Sequence, residues 1–295
     1  MSKPSLPQET MGPEEHRSLW EDALRRLRSN PGAMLGLALL VIIITLTLLA
    51  PWITRYDPIE IVSSERLQPP GPRYWLGTDA FGRDMLTRIL YGGRISLSVG
   101  IISVTIAALL GVTSGMLAGY FGGWTDTLIM RLVDLTLAFP GILLALFIIA
   151  VLGPSLYNAM IAVGIAASPT YARVTRGMVL QIKATTYVEA AVATGAPPQR
   201  ILLRHILPNI LGAIIVIATL GVASAIIAGA ALSFLGLGAK PPTPEWGLIL
   251  SEGRSYLRHA PWITTFPGLA IMLAVLSINL LGDGLRDALE PRSQR

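Results

Sequence analysis

"YVEAAVATGAPPQRILLRHILPN", Tyr187–Asn209, is a polar interruption in an otherwise apolar chain. It carries Glu189, Arg200, Arg204 and His205, while long uncharged runs lie on both sides. Glu189 and the alanines beside it favour a short helix ending near Thr194. Gly195 follows, where a helix C-terminus calls for a left-handed residue. Pro197 and Pro198 suit the first turn of a second helix. "QRILLRHIL" then reads as basic and amphipathic, with Ile201, Leu202, Ile206 and Leu207 interleaved with Arg200, Arg204 and His205. Pro208 is expected to end that helix or kink it. The stretch is a helix, a glycine turn and a helix. Ala190 and Ala191 are small enough to admit close approach by another protein, so it has the form of a docking element.

The composition around it is that of a membrane protein. The chain has 295 residues, of which 52% are hydrophobic and 14% charged, with mean hydropathy +0.59. Soluble domains carry about 25% charge. There is no cysteine, which excludes disulfides and thiolate chemistry. The net charge of +5 fits basic loops at a lipid surface better than nucleic-acid binding. The first 30 or so residues are polar and mixed in charge, and read as a cytosolic tail rather than a cleaved signal. Within them "EEHRSLWEDALRRLRSN" can form an amphipathic helix with Leu19, Trp20, Ala23, Leu24 and Leu27 on one face. It reads either as a membrane-surface helix or as a solvated lead-in.

A membrane-spanning helix needs about 20 mostly apolar residues. The uncharged runs predict spans near 33–53, 95–119, 128–152, 156–171, 209–232 and 262–281, with a tight hairpin at "LGPSLYN" (Leu152–Asn158). The expected class is all-α and polytopic, with six transmembrane helices. The chain then divides into a cytosolic tail (1–32), a first span with its outer loop (33–94), a core of five spans (95–285) holding the cytosolic loop 183–208, and a cytosolic tail (286–295). With both termini inside, fourteen of the 23 Lys and Arg residues fall on the inner side and nine outside. The bias supports that orientation.

Small-residue faces occur at Gly111, Gly115 and Gly119, and at Gly32 and Gly36. They suit close helix packing, inside the subunit or against a partner. Arg131 and Asp134 are spaced to pair along one helix face. In "GTDAFGRDMLTR" (77–88), Asp79/Arg83 and Asp84/Arg88 are spaced as i,i+4 pairs of an amphipathic helix at the outer surface, capped by Thr78 or Asp79. Asn158, Thr219 and Ser224 are polar groups that could line a pathway, though packing roles suit them better. No ionisable residue lies deep in a span, which argues against a proton-relay carrier. There is no phosphate-cradling glycine loop of the G-x-x-x-x-G-K-[ST] type. No metal or cofactor site is indicated and no catalysis is expected in this chain.

The spacing Glu189-Ala190-Ala191, three residues, Gly195, nine residues, then His205-Ile206-Leu207-Pro208 resembles the EAA loop of bacterial ABC importer permeases of the type I fold. His205 departs from the general pattern, but "RHILPN" is similar to the peptide and nickel branch. "GTDAFGRDMLTRILYGGRISLSVG" (Gly77–Gly100), "AFPGILLAL" (Ala138–Leu146) and "LSFLGLGAKPPTPEWGLIL" (Leu232–Leu250) resemble C-type subunits of dipeptide and oligopeptide permeases. The resemblance implies a transmembrane subunit in the bacterial inner membrane, importing short peptides or, alternatively, nickel chelates or glutathione-type compounds. It implies as partners a second permease subunit, one or two cytosolic ATPases that bind ATP and Mg, and an extracytoplasmic solute-binding protein. It also implies that Glu189, Ala190, Ala191, Gly195, His205, Leu207 and Pro208 form the contact that couples the permease to an ATPase. A self-contained channel or secondary carrier is the rival reading.

Overall fold

The computed structural model describes residues 19–289, whose regular elements are all helices, with no strand among them. Helix α1 (Leu19–Ser29) precedes α2 (Pro31–Leu48), and a short α3 (Ala50–Ile53) follows. Asn30 separates α1 from α2: its side chain accepts from the Ala33 N–H, and Pro31 fills the first turn. The Leu19, Trp20 and Ala23 side chains invoked for the amphipathic face lie outside what is described, as do the outer parts of both tails.

After the loop 54–84 comes α4 (Met85–Phe121), whose 37 residues reach about 55 Å at 1.5 Å per residue. It starts ten residues before the predicted span because Asp84 caps it, accepting from the Thr87 N–H at 2.8 Å. The predicted third span is broken. α5 (Gly123–Leu137) and α6 (Gly141–Leu152) meet at a bend of 95°. Pro140 causes it, since it lacks an N–H and drives Phe139 away from helical geometry. The predicted hairpin is present: Ser155 caps α7 (Leu156–Lys183), and the Asn158 amide donates to Leu152 O and Gly153 O at 2.9 and 2.8 Å. Asn158 thus closes a turn.

The later elements are α8 (Thr186–Ala193), α9 (Pro198–Arg200), α10 (Leu207–Phe234), α11 (Trp246–Gly253) and α12 (Trp262–Leu289). Among the described residues four helical stretches are long and apolar enough to cross a membrane: α2, α4, Pro198–Phe234 and α12. The bent pair α5–α6 makes a fifth. α7 has the length, at 28 residues, but Ser168, Pro169, Thr170, Arg173 and Arg176 dilute its second half. Its two arginines are held by carboxylates of α5, Arg173 by Asp134 and Arg176 by Asp126. Ala159, Met160, Ala162, Val163, Ala172, Thr175 and Val179 are all buried.

The glycine face of α4 makes the close packing of α7 possible. A Cβ on Gly119 would lie 2.9 Å from Val179 Cβ, and one on Gly111 or Gly115 would strike the α7 backbone at Ser168 O or Ala172 O. Gly36 does the same for α2 on α12, where a Cβ would lie 2.7 Å from Ser277 O. Both small-residue faces therefore serve packing within this chain.

The segment 77–88 differs from its predicted form. Residues 77–84 make a compact turn and only then does α4 begin. The Asp79–Arg83 pair forms at 2.6 Å, but it is buried rather than at the surface. Asp84 does not pair with Arg88, because its carboxylate is committed to the Thr87 N–H and hydroxyl. Arg88 instead reaches Glu252 of α11 at 2.8 Å and Asp79 at 3.2 Å, and Arg83 also reaches Glu252 at 2.8 Å. Two guanidiniums and two carboxylates thus tie the start of α4 to α11. Beside them Glu245 caps α11 through the Gly247 and Leu248 N–H groups and accepts from Ser96 of α4.

Candidate coupling site

The stretch Tyr187–Asn209 folds as a compact loop across the ends of α4 and α7. Val188 is the one buried residue of α8. It anchors the loop in an apolar cluster with Val179, Ile201, Leu202, Ile206 and Ile210, against which Met116, Tyr120 and Leu207 also pack. That orientation turns Glu189 and Ala190 outward to solvent, with Ala191 half-buried. The Glu189 side chain has no hydrogen-bond or ion-pair partner among the described residues.

The end of α8 follows from Gly195. The Ala196 N–H donates to Ala191 O at 3.1 Å and the Gly195 N–H to Val192 O at 3.0 Å. These are the paired bonds of a Schellman ending. Gly195 sits at φ +76°, and a Cβ there would meet nothing within 4 Å. The position demands glycine for its backbone conformation, while the space beyond it is open.

Beyond Pro197 the structure departs from the predicted separate helix. α9 runs into a π-turn over Ile201–Ile206, closed by the Leu207 N–H to Leu202 O, and passes without a break into α10. Pro208 neither ends nor strongly kinks it. It occupies the first turn of α10, where a missing N–H costs little, and the wide π-turn precedes it. Pro208 is exposed, Leu207 is half-buried on the apolar cluster, and His205 is half-buried with its ring 6.2 Å from that of Tyr187. The loop thus joins His205 and Leu207 on its inner side and leaves Glu189, Ala190 and Gly195 on its outer side.

Tyr187 and Asn209 had no assigned role in the sequence reading. Both are tied to the His205 carbonyl: Tyr187 Oη donates to it at 3.2 Å and Asn209 Nδ2 at 2.6 Å, while Asn209 Nδ2 also donates to Tyr187 Oη at 3.0 Å. Their only signal in the sequence was being polar at both ends of an amphipathic stretch.

Ion pairs brace the same end of the bundle. Arg176 of α7 holds Asp126 of α5 through two bonds of 2.5 and 2.6 Å. Asp134 pairs with Arg173 at 2.5 Å, not with Arg131 as the spacing suggested. α7 lies alongside α5, so a cross-helix partner displaces the one on the same helix. Lys183 Nζ donates to Tyr120 O at 2.7 Å, fastening α7 to the end of α4.

In the middle of the bundle α4, α6, α7 and α10 surround a cavity of about 420 Å³. Its polar groups are Ser103, Thr170, Tyr171 and Ser224, set among apolar walls such as Ala145 and Leu232, and no Asp, Glu, Lys, Arg or His lines it. Thr219 lies elsewhere, bonded to Ile215 O.

Two family models match the chain. One, described as binding-protein-dependent transport system inner membrane component, covers residues 111–295; the other, the N-terminal transmembrane domain of oligopeptide transport permease C, covers 18–70. This chain belongs to the binding-protein-dependent transport system inner membrane component family. A dipeptide transport system permease protein DppC from Alkalihalophilus pseudofirmus is 49% identical over 275 residues, 93% of this chain and 90% of the relative. A glutathione transport system permease protein GsiD from Escherichia coli is 46% identical over 281 residues, covering 95% and 93%. Among solved structures, an inward-facing MetNI methionine ABC transporter chain aligns with a TM-score of 0.56 at 21% identity, covering 69% of this chain and 97% of that one. That likeness supports the fold, which is that of a type I ABC importer permease. The permease is a transport subunit, not a catalytic one.

Proposed function

We propose that this permease forms half of the translocation pathway for short peptides and is driven through the loop Tyr187–Asn209 by a cytosolic ATPase. The observation that carries the reading is the loop itself. It has a buried apolar underside, an outward face on which Glu189 has no partner among the described residues, and open space beyond Gly195. The partner ATPase binds ATP and Mg, a second permease subunit supplies the other half of the pathway, and a solute-binding protein delivers the substrate. The loop and both termini lie in the cytosol. Ala190 and Ala191 admit the ATPase surface, and His205, Leu207 and Pro208 join the loop to α10, so that ATPase closure moves that helix as a rigid body.

The uncharged cavity fits a passage rather than a storage site. Without a fixed charge it forms no ion pair with a peptide terminus, so a substrate that enters can also leave. Dipeptide is the preferred substrate, following the 49%-identical relative. Glutathione is the second reading, following the 46%-identical one. The test is purification of the tagged complex from its native host in mild detergent, for wild type and Gly195→Asp. Uptake of radiolabelled dialanine and of glutathione into reconstituted vesicles is measured alongside. Wild type is expected to bring down an ATPase and a second permease and to transport dialanine. Gly195→Asp is expected to lose ATPase contact or transport while still inserting. Wild type emerging alone as a homo-oligomer would favour a self-contained channel or carrier instead.

A further inference from the structure

The coupling loop must do more than dock, since its displacement has to reach the transmembrane helix. Two contacts join α8 to α10. The first is the apolar cluster under Val188, which resists separation but permits sliding, because apolar contact is non-directional. The second is the closed triangle of hydrogen bonds between the Tyr187 hydroxyl, the His205 carbonyl and the Asn209 amide, with sides of 3.2, 2.6 and 3.0 Å. Hydrogen bonds are directional, so the triangle fixes the rotation of α8 about the axis of α10. Its position matters. It grips the C-terminal end of the π-turn Ile201–Ile206, the least regular part of the helix and a common place for a hinge. Tyr187 comes from the first turn of α8, His205 from within the π-turn and Asn209 from the first turn of α10. Opening the triangle leaves the π-turn free to flex, and loop motion is then absorbed there instead of being transmitted.

We propose that Tyr187 and Asn209 are positioning residues that clamp the π-turn, so that the coupling loop and α10 move as one lever. The inference rests on the coupling role proposed above. Glu189 and Gly195 meet the ATPase, whereas Tyr187 and Asn209 transmit what it does. The two roles predict different defects. A docking defect loses the ATPase; a clamp defect keeps it and wastes ATP.

The experiment uses the whole complex in proteoliposomes. ATP hydrolysis and dialanine uptake are measured together for wild type, Tyr187→Phe, Asn209→Ala and the double variant. Tyr187→Phe removes one oxygen and retains the ring, so folding is least disturbed. Each single variant loses two of the three exposed bonds and is expected to keep its ATPase partner and its hydrolysis rate while molecules imported per ATP fall about fivefold. The double variant is expected to be no worse than the weaker single, because both remove the same triangle. An unchanged ratio in assembled single variants overturns the clamp, as does loss of the ATPase from Tyr187→Phe, which would make the tyrosine part of the docking surface. If wild type hydrolyses ATP without importing anything, the importer reading fails, and that result is separate from either outcome for the clamp.

Discussion

Glu245 and Asp84 are carboxylic acids held away from water, and burial raises both above the ordinary carboxylate range. For Glu245 the opposing effect is its bonds to Gly247 and Leu248 N–H; for Asp84 it is Thr87. A raised folded value means that the unfolded chain ionises first. Below the ordinary carboxylate value both states are protonated and the pair costs nothing. As pH rises from there through the folded values, stability falls, and above them the full penalty is present. Glu245→Gln cannot ionise, so thermal melts of the purified complex across the acidic range are expected to show a flatter pH dependence than wild type. An identical slope would assign the dependence to other groups. Glu252 makes a different prediction. It is shared by Arg83 and Arg88, and among the described residues Arg88 Nε has no hydrogen-bond partner while Nη1 meets Asp79 only as an ion pair. Glu252→Gln leaves two buried guanidiniums with Asp79 alone and is expected to cost about 3 kcal/mol, read as a lowered melting temperature. Exposed Glu189→Gln is expected to change stability by no more than about 0.5 kcal/mol. The contrast separates a residue that holds the fold from one that meets a partner.

Among the elements, α4 against α7 is the pairing on which the core depends. A Cβ on Gly115 would lie 2.8 Å from Thr175 Cβ and closer still to the Ala172 carbonyl, which is backbone and cannot move aside cheaply. Gly115→Leu is expected to abolish accumulation of folded protein in the membrane. Gly177→Leu, at a position where a Cβ meets nothing within 4 Å, is expected to accumulate normally; equal yields would mean that the helices separate easily. This pairing also shows what the sequence could reveal. The spacing of Gly111, Gly115 and Gly119 announced a close helix contact without naming the partner, which is set only when α7 arrives. The apolar runs located α2, α4, α10 and α12, because lipid-facing helices carry their environment in composition. α7 carries Arg173 and Arg176 for its ion pairs with α5, so composition understates it. The bend at Pro140 was hidden inside a continuous uncharged run, since hydropathy is blind to direction. The buried pairing of Arg88 with Glu252 joins residues far apart in the chain, and local spacing pointed to Asp84 instead. The Schellman ending at Gly195 was legible because it is wholly local. The π-turn was not, since nothing in "ILLRHI" distinguishes five-residue from four-residue bonding.

Across the whole molecule, the contacts sort the chain into two ends. At one lie Asn30, bonded to Asp287, the Leu289 side chain near Gly212, and the coupling loop that feeds α10. At the other lie the loop 54–84, α11 and Trp262, whose indole donates to Thr78 O. The described starts and ends of the chain therefore share a side with the coupling loop, whichever side that is. On the reading proposed above the loop meets an ATPase, which would place this end in the cytosol, and an excess of Lys and Arg there fits that reading. Because the chain has no cysteine, single cysteines report on this without background. Ala193→Cys and Ile61→Cys are both exposed positions, one at each end. In intact spheroplasts a membrane-impermeant maleimide is expected to label Ile61→Cys and to spare Ala193→Cys until the membrane is opened. The converse pattern would place the loop outside. It would remove the ATPase contact from Glu189 and Gly195, and the lever formed by α8 and α10 would have nothing to drive it.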